Sequence, residues 1–361
     1  MNKYSYYFFK GCKKIKVNKL IYKISSIFVN EDKQEKIDIK AFRDELNNYY
    51  PFKETRIISK NNVKMRLYDL QIIVPVYNVE KELRKCLESI INQKTKYKYC
   101  IYIVNDGSTD SCLSIMKQYE KMKNITIINQ SNQGLAAARN SGFKEIVGKY
   151  LMFVDSDDYI SDDAVEKLLD TAYKNDADIV EGSYISYNDN KRYTFINKTT
   201  ELKGHTWNKI YKSTLFENLI FPKGYLYEDT MPFFMIYPFA NKICILEDIT
   251  YYHLINNKGI ALLNKGEDTS IDSYWLTEEL DKCRYLLNYP NDINYWILLN
   301  RQFIMNYSRT CYLPENIQKD IFFLEKNLLN NNFKEPLNND EIMLFIYNGE
   351  YNKYINYMKW N

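Results

Sequence analysis

Between residues 70 and 180, short apolar runs alternate with amphipathic segments, and this alternation constrains the fold more than any other feature of the sequence. The predicted strands are 70–76, 100–104, 125–128, 150–154 and one that starts at Asp178, and the predicted helices are 80–92, 108–122, 135–146 and 164–173. Strands that alternate with helices at this spacing form βαβ units, and continuously apolar strands are covered on both faces. The sequence therefore predicts a Rossmann-like α/β fold with a mostly parallel central sheet flanked by helices.

Polar turns follow the first four predicted strands, at 75–80, 105–110, 132–142 and 155–158. In an open α/β sheet, ligands bind beyond the carboxyl ends of the strands. We therefore expect these four turns to lie along one edge of the sheet and to form the functional site. From about residue 263 onward the strand patterns stop, and amphipathic segments rich in Tyr, Leu and Asn predict an α-helical C-terminal region.

The sequence contains two D-x-D segments, Asp155–Asp157 and Asp176–Asp178. The first closes an apolar strand at the predicted ligand edge, where crowded carboxylates repel one another unless a cation or hydrogen-bond donors compensate. Mg²⁺ and Mn²⁺ prefer oxygen ligands and commonly bind one or two carboxylates together with substrate phosphates. The alternative is that 155–158 only caps the following helix. The second segment lies between a helix and a strand, where Asp favours turns by itself, and it is predicted to be a solvated turn.

Charge and cysteine usage exclude several classes of protein. The formal net charge of +3 argues against a surface that grips nucleic acid. The seven cysteines are odd in number and form no C-x-x-C pair, which fits a reducing cytosol better than a disulfide framework or a thiolate zinc site. No run of 18 apolar residues predicts a spanning helix, and no secretory signal is expected. We therefore expect a cytoplasmic protein.

The first thirty residues differ from the rest by charge. They contain seven lysines and no acidic residue, interleaved with aromatic and aliphatic side chains. Lysines and apolar side chains in this mixture are typical of peripheral contact with an anionic membrane surface. We predict that this segment holds the protein at the inner face of the cell membrane. The alternative is that residues 6–9 pack on the catalytic domain and the lysines are merely solvated.

Four motifs in order carry a resemblance to a known family. They are V-P-V-Y-N (74–78), V-N-D-G-S-T-D (104–110), Q-G-L-A-A-A-R-N-S-G (133–142) and F-V-D-S-D-D (153–158). This run resembles the family 2 glycosyltransferases of the GT-A fold. A second block, with W-N-K-I-Y (207–211), F-P-K-G (221–224) and Y-E-D (227–229), is similar to the bacterial capsule, exopolysaccharide and cell-wall members. The resemblance covers about residues 70–260 and leaves both ends of the chain outside it.

The resemblance implies a donor site made of residues from the first block. The implied donor-binding residues are Pro75, Tyr77, Glu80, Asp106, Arg139, Asp155 and Ser156. Within this set, Tyr77 is implied to face the base, Asp106 to accept a hydrogen bond from the uracil ring and Asp155 to hold the ribose. Asp157 is implied to bind the metal, Mn²⁺ or Mg²⁺, that bridges the diphosphate. The chain has no phosphate-binding G-x-x-x-x-G-K-[ST] loop, so this cation would have to supply much of the stabilisation of the diphosphate leaving group.

On the acceptor side, the resemblance implies Asp229 as the catalytic base, with Glu228 as its alternative. Without the F-P-K-G segment upstream, both would be interpreted as helix-start acids. His253 occupies a position where members of the family often have a basic residue, and Ile260 replaces a serine of the pattern. His253 is therefore a candidate to bind the metal or contact the diphosphate, and the alternative is a structural histidine. Trp207 is either a wedge beneath the acceptor site or a stacking platform.

Together these observations predict an inverting glycosyltransferase, either hexosyl- or N-acetylhexosaminyl-, that moves a sugar from a UDP-sugar to a saccharide or lipid-linked acceptor in cell-surface polysaccharide synthesis. The expected regions are an N-terminal extension (1–66), a catalytic domain (67–262) with a nucleotide half (67–180) and an acceptor half (181–262), and a helical region (263–361). Two rivals stay open, a sugar-nucleotidyltransferase and a non-catalytic glycan-binding scaffold. The sequence does not identify the sugar, the acceptor or the linkage. Tyr-rich helices at 272–310 are a candidate face for a homo-oligomer.

Overall fold

The computed structural model describes residues 22, 25, 26, 29, 37–188, 190–199, 202–256, 264 and 266–360. These residues fall into two compact units. Residues 54–259 form a sheet unit, and the described residues up to Lys53 and beyond 260 form a helical unit. The predicted membrane-binding segment 1–30 lies almost entirely outside the described residues.

The predicted N-terminal extension 1–66 is not one structural element. Helix α1 (Ile39–Tyr49) packs within the helical unit, where the Phe42 ring stacks on Phe323 at 5.0 Å between centroids. The first strand of the sheet already begins at Asn62, eight residues before the predicted start. The prediction missed this beginning because the first residues of the strand are exposed and therefore lack an apolar run. The described residues of the predicted extension thus belong to two units, with those up to Lys53 in the helical unit and those from Glu54 in the sheet unit.

The strands of the sheet unit are β1 (Asn62–Val76), β2 (Tyr99–Asp106), β3 (Ile125–Gln130), β4 (Glu145–Phe153), β5 (Tyr159–Ile160), β6 (Ile179–Tyr187), β7 (Arg192–Phe195), β8 (Lys209–Lys212) and β9 (Ile243–Leu254). They pair in the order β3-β2-β1-β4-β8-β6-β9-β5, and β7 adds to β6. The first four strands in that order are parallel, as the alternating pattern predicted. The rest of the sheet is mixed, because β8 pairs antiparallel with both β4 and β6.

The central strands are buried because helices cover both faces of the parallel part. Ile72 of β1 lies in register with Ile101 of β2 and Met152 of β4, and all three side chains are buried. The helices of this unit are α2 (Leu83–Ile91), α3 (Cys112–Lys117), α4 (Leu135–Gly142), α5 (Ala164–Asn175) and α6 (Thr230–Met235). Each parallel strand therefore ends in a turn at the same edge of the sheet, which is where the predicted site residues lie.

Helix α4 is shorter than the predicted 135–146. It ends at Gly142, where the chain passes so close to β1 that only glycine fits: a Cβ on Gly142 would lie 2.4 Å from Ile73 Cγ2. Gln71 of β1 then fixes the turn into β4, since its amide donates to the carbonyls of Gly142 (2.9 Å) and Glu145 (3.0 Å). This close approach of helix and strand places Arg139, one turn before the end of α4, in the interior of the unit.

Besides α1, the described part of the helical unit contains helices over its C-terminal residues, as the C-terminal pattern predicted. They are α7 (Asp272–Leu286), α8 (Ile293–Thr310), α9 (Glu315–Asn332), α10 (Glu341–Asn348) and α11 (Tyr351–Trp360). Asp292 and Asp340 cap α8 and α10 by accepting backbone N–H groups of their first turns. The indoles of Trp275 and Trp296 are buried in this unit. None of the helices in the described part of the chain is both long and apolar enough to cross a membrane.

Candidate active site

The turns after β1 and β2 are tied together by hydrogen bonds between their side chains and backbones. Asn78 adopts a left-handed conformation, and its side-chain oxygen accepts the backbone N–H of Thr109 (2.8 Å). Asp110 accepts the N–H of Glu80 (3.0 Å), while Glu80 accepts the N–H of Ser111 (2.9 Å) at the start of α3. Glu80 therefore anchors this pair of turns. Its predicted contact with the nucleotide stays a prediction.

Pro75 is buried within β1, whereas Tyr77 lies just past the end of the strand with 47% of its surface exposed. This ring stands at the carboxyl edge of the parallel strands. A nucleotide base could stack on such a ring without any change in the backbone. The two residues thus differ in exposure: Pro75 is buried within the strand, whereas the ring of Tyr77 could contact a ligand.

Asp106, the last residue of β2, is buried and holds the turn before α4. One carboxylate oxygen accepts the Gln130 side-chain amide (2.7 Å) and the Gln133 N–H (2.9 Å), and the other accepts the Gly134 N–H (2.8 Å). Gly134 has a positive φ of 86°, which a side chain would disfavour. The sequence did not reveal these internal partners of Asp106. Base recognition by its carboxylate stays a prediction, while its role in ordering the turn is visible.

Arg139 joins the two blocks of the sequence motif. Its Nη2 donates to Asp155 Oδ1 (3.0 Å) at the end of β4, and its Nη1 donates to Glu228 Oε1 (2.6 Å) in the turn before α6. The guanidinium is buried and also lies 5.4 Å from the centre of the Phe221 ring. Burial alone would lower the pKa of Arg139, but Asp155, Glu228 and Asp229 outweigh it and raise the pKa. The cation therefore stays charged and holds two carboxylates of the predicted site together.

The turn after β4 concentrates negative charge. Burial, and next the Asp155 charge, raise the pKa of Asp157 to about 6, and burial together with Asp157 and Asp155 raises the pKa of Asp158 still more. Asp158 is structural, because it accepts the Tyr251 hydroxyl (2.7 Å) and the Leu254 N–H (2.7 Å) of β9. Ser156 is buried between the acids. The alternative of a simple cap for α5 does not account for this crowding.

A divalent cation fits the chemistry of this turn. Among the described residues, no group of three or more His, Cys, Asp and Glu side chains is arranged to hold a metal ion by itself. Asp155 and Asp157 nevertheless supply oxygen ligands under mutual repulsion, and the Arg139 contact goes to Asp155. Hard cations such as Mn²⁺ and Mg²⁺ are commonly held by one or two carboxylates plus substrate phosphates. The residues present fit a cation of that kind.

His253 of β9 lies beside this turn. Its Nδ1 is 3.1 Å from the Ser186 hydroxyl, and its ring stacks on the Trp207 indole at 5.0 Å between centroids. Burial lowers the pKa of His253, against an opposing effect of Asp155, so the imidazole is neutral at pH 7 and able to coordinate a cation. These contacts also suit a structural histidine, and metal binding by His253 stays a prediction.

Trp207 is the centre of a ring stack. Besides His253, the indole stacks on His205 at 3.6 Å and on Tyr251 at 4.7 Å between centroids. Tyr251 in turn donates to Asp158 and accepts the N–H of Asp155 (3.1 Å). The stack therefore supports the acidic turn from beneath, and this favours the interpretation of Trp207 as a wedge over that of a platform for a ligand.

Sequence reasoning missed a buried ion pair under the site. Lys209 Nζ lies 3.0 Å from Glu181 Oε1, and both side chains are fully buried. Burial lowers the pKa of Lys209 to about 8, although Glu181 and then Asp229 act in the opposite direction. The available signal was the W-N-K segment of the second motif block, whose lysine had no predicted role. Lys209 places a second cation within the electrostatic reach of Asp229.

Asp229 immediately precedes α6, yet its carboxylate makes no hydrogen bond that caps the helix. The turn that presents it is unusual, since Gly224 and Tyr227 both have positive φ values, of 83° and 65°. The neighbouring Glu228 is committed to Arg139, and burial raises its pKa despite that cation. The two acids predicted as alternatives therefore occupy different environments. Glu228 forms an ion pair with Arg139. Asp229 interacts electrostatically with both Arg139 and Lys209.

The mixed sheet with flanking helices and acid-rich strand ends defines a domain of the GT-A type. Residues 71–237 match the family described as Glycosyl transferase family 2. This match lies within the sheet unit and confirms the resemblance seen in the motifs.

Known relatives and structures agree with this assignment. The chain is 37% identical over 218 residues to the glycosyltransferase GlyA of Streptococcus pneumoniae, a match that covers 53% of this chain and 31% of GlyA. It is 34% identical to EpsH of Bacillus subtilis, over 53% of this chain and 62% of EpsH. The matches thus span less than two thirds of either relative. The structure of residues 1–349 of S. aureus TarS, in complex with UDP-GlcNAc, superposes with a TM-score of 0.59 at 18% identity, over 81% of this chain and 90% of that chain.

Proposed function

We propose that this chain is an inverting glycosyltransferase that transfers a sugar from a UDP-sugar to a saccharide or lipid-linked acceptor in cell-surface polysaccharide synthesis. The observation that carries the proposal is the double contact of Arg139, which joins Asp155 of the donor motif to Glu228 of the acceptor motif. This contact puts the two halves of the predicted site at one edge of the sheet. The complex of TarS with UDP-GlcNAc is a further reason to propose a uridine nucleotide donor.

On the donor side, the exposed ring of Tyr77 would stack on the base, and Asp155 would contact the ribose. Asp157, with His253 as a candidate partner, would hold Mn²⁺ or Mg²⁺. When bound, that cation would neutralise charge on the diphosphate leaving group. The crowding of carboxylates in this turn supports the assignment, because a cation or a positively charged ligand would relieve the repulsion.

On the acceptor side, Asp229 would be the general base. The acceptor hydroxyl attacks the anomeric carbon, its proton passes to the Asp229 carboxylate, and the bond from that carbon to the diphosphate oxygen breaks. One displacement of this kind inverts the anomeric centre and requires no nucleophile from the enzyme. Two buried cations, Arg139 and Lys209, lie within electrostatic reach of Asp229, and a general base acts through a carboxylate that can accept a proton. Glu228 is less suited, because its carboxylate already accepts from Arg139 at 2.6 Å.

The proposal is tested by UDP release from a panel of UDP-sugars with Mn²⁺, before and after addition of EDTA. We expect release from at least one UDP-sugar, and we expect EDTA to abolish it. A parallel assay with UTP and sugar 1-phosphates tests the rival nucleotidyltransferase, which would form pyrophosphate. Binding of UDP-sugars without any turnover, in the presence of cell-wall saccharides, would instead support a non-catalytic scaffold.

We also propose that residues 1–30 hold the enzyme on the cytoplasmic face of the membrane. The support is the sequence alone, with seven lysines and no acidic residue. Each lysine near an anionic surface contributes about 1 kcal/mol of attraction, which salt screens. We expect the full chain to float with anionic liposomes at low salt and to be released at high salt. Equal flotation of a chain that starts at Asp32 would contradict the proposal.

A further inference from the structure

An open surface pocket lies beside the acidic turn after β4. It has a volume of about 460 Å³ and opens between α2, β5, the end of β6 and the start of β7. Its lining includes Lys85, Tyr159, Tyr187, Asn188, Lys191 and Arg192, which we call the basic–tyrosine pocket. Two features distinguish it from an ordinary surface groove: the concentration of positive charge, and the packing of aromatic rings around that charge.

The cations of this pocket are held near one another and against aromatic rings. Lys85 Nζ lies 3.5 Å from the centre of the Tyr159 ring and 5.2 Å from that of Tyr187. The Arg192 guanidinium lies 5.8 Å from the centre of the Tyr252 ring. Burial, and next the charge of Arg192, lower the pKa of Lys85. In the part of the chain that the structure describes, no ion pair joins Lys85, Lys191 or Arg192 to a carboxylate.

Cations that repel one another, and that have no acidic partner among the described residues, favour an anion between them. Phosphate is the anion for which this combination is best suited, because its oxygens accept several hydrogen bonds from ammonium and guanidinium groups at once. The amides of Asn188 and Asn190 add neutral donors and acceptors to the same lining. The tyrosine rings offer flat apolar faces with polar edges, which fit the surface of a sugar. The lining therefore suits a ligand that combines a sugar with a phosphate.

The pocket shares a wall with the acidic turn after β4. Tyr159 follows Asp158 directly, and its ring stacks on Tyr252 of β9 at 4.4 Å between centroids. Asp158, Asp157 and Glu82 act electrostatically on the Tyr187 hydroxyl, so these acids face the same region. The donor diphosphate has its own place at Asp157 in the proposed function. A phosphate in the pocket would thus belong to the other substrate.

We propose that the basic–tyrosine pocket binds the phosphate of a phosphate-bearing saccharide acceptor, with the sugar ring against the tyrosines. This inference rests on the proposed function, since it names the chemical class of the acceptor. A phosphorylated acceptor is held by Lys85 and Arg192, and its sugar extends toward the turn that carries the donor. The enzyme therefore prefers saccharides with a phosphate group over neutral ones.

Calorimetric titration of the full chain with three probes tests the proposal: glucose 6-phosphate, glucose and inorganic phosphate. We expect glucose 6-phosphate to bind at least about tenfold more tightly than either of the others, because only it meets both the cations and the rings. Arg192→Glu and Lys85→Glu should each remove this preference. Lys123→Glu, which makes the same charge change at an exposed position outside the pocket, should retain it. Titration with UDP verifies that each variant is folded.

Several outcomes would overturn the proposal. Equal affinity for glucose 6-phosphate and glucose would show that the phosphate does not contribute to binding. Equal affinity for glucose 6-phosphate and inorganic phosphate would show that the sugar does not. If Arg192→Glu and Lys123→Glu lost the same amount of affinity for glucose 6-phosphate, the effect would come from the net charge of the protein and not from the pocket. UDP release without any preference for glucose 6-phosphate would contradict this inference alone. A preference that depends on Arg192, in a chain that releases no UDP from any donor, would contradict the proposed function alone.

Discussion

The two D-x-D segments of this chain have the same spacing and opposite surroundings. Asp155 and Asp157 lie beyond the end of β4, partly buried among other acids, with Asp155 held by the buried Arg139. Asp176 is the left-handed residue that ends α5, and 90% of its side chain is exposed. Its partner Lys212 is also partly exposed, at 3.2 Å. Motifs with the same spacing therefore meet different surroundings, which depend on where in the fold each motif lies.

The second segment is not uniformly solvated, which refines the predicted turn. Asp178 is buried, accepts the N–H of Asn241 (2.8 Å) and pairs with Lys212 (3.3 Å). The carboxylate of Asp178 therefore has both a cation and a hydrogen-bond donor to balance its charge. By contrast, burial and the charge of Asp155 disfavour the ionised form of the Asp157 carboxyl group. The difference suggests a general criterion: an acid kept under repulsion at a strand end is a better candidate for a ligand site than an acid that is fully compensated.

The largest expected effect concerns the base. Asp229→Asn keeps the shape of the side chain but cannot accept a proton, so the rate of sugar transfer should fall by about 10²–10⁴-fold. UDP-sugar affinity should change little, because Asp229 is assigned to the acceptor side. Initial rates and UDP-sugar binding, measured on the same preparation, distinguish the two effects. Transfer at the wild-type rate in Asp229→Asn, together with a loss in Glu228→Gln, would move the base to Glu228.

The next comparison uses the cations that form ion pairs with the two D-x-D segments, which are Arg139 for the first and Lys212 for the second. Arg139→Met leaves Asp155 and Glu228 without their buried partner, and the free energy of unfolding should fall by about 3–5 kcal/mol. Lys212→Met is the matched control, since it removes partly exposed ion pairs with Asp176 and Asp178, worth roughly 0–1 kcal/mol. Urea denaturation measures both. Similar losses in the two variants would show that burial does not distinguish the segments.

A smaller effect should appear in stability without metal. Burial and Asp155 raise the pKa of Asp157 to about 6, so the native state binds this proton more tightly than the unfolded chain does. The stability from this group is complete below about pH 4 and is lost as the pH rises through about 6. Asp157→Asn should therefore raise the free energy of unfolding by about 1–3 kcal/mol at pH 8 in EDTA. The gain should vanish near pH 4, and a gain that is independent of pH would contradict this explanation.

The smallest effect is expected at the exposed segment. Asp176→Asn keeps a short polar side chain that tolerates the left-handed conformation, and it loses only a surface ion pair with Lys212. Thermal denaturation should show a change in the free energy of unfolding of less than about 1 kcal/mol, and the rate of UDP release should not change. A large loss of activity in this variant would mean that Asp176 has a role that its exposure does not indicate.

The sequence predicted the parallel half of the sheet and its four polar turns, because strand periodicity and turn residues are local signals. It did not predict the partners of the site residues. Arg139 meets Glu228 across 89 positions, and Lys209 meets Glu181 through the pairing of β8 with β6. The packing of α1 within the helical unit was likewise missed, because an amphipathic pattern predicts a buried face but not the element against which that face packs. Long-range pairing depends on topology, and no single segment of the sequence encodes it.

The central claim is that the acid-rich turn after β4 binds the cation on which sugar transfer depends. Its most direct test is the rate of Mn²⁺-dependent UDP release by Asp157→Ala and by Asp176→Ala, measured side by side with the wild-type chain. We predict a loss of about 10²-fold or more for Asp157→Ala and a rate within about twofold of wild type for Asp176→Ala. Equal losses in the two variants, or a wild-type rate in Asp157→Ala, would contradict the claim.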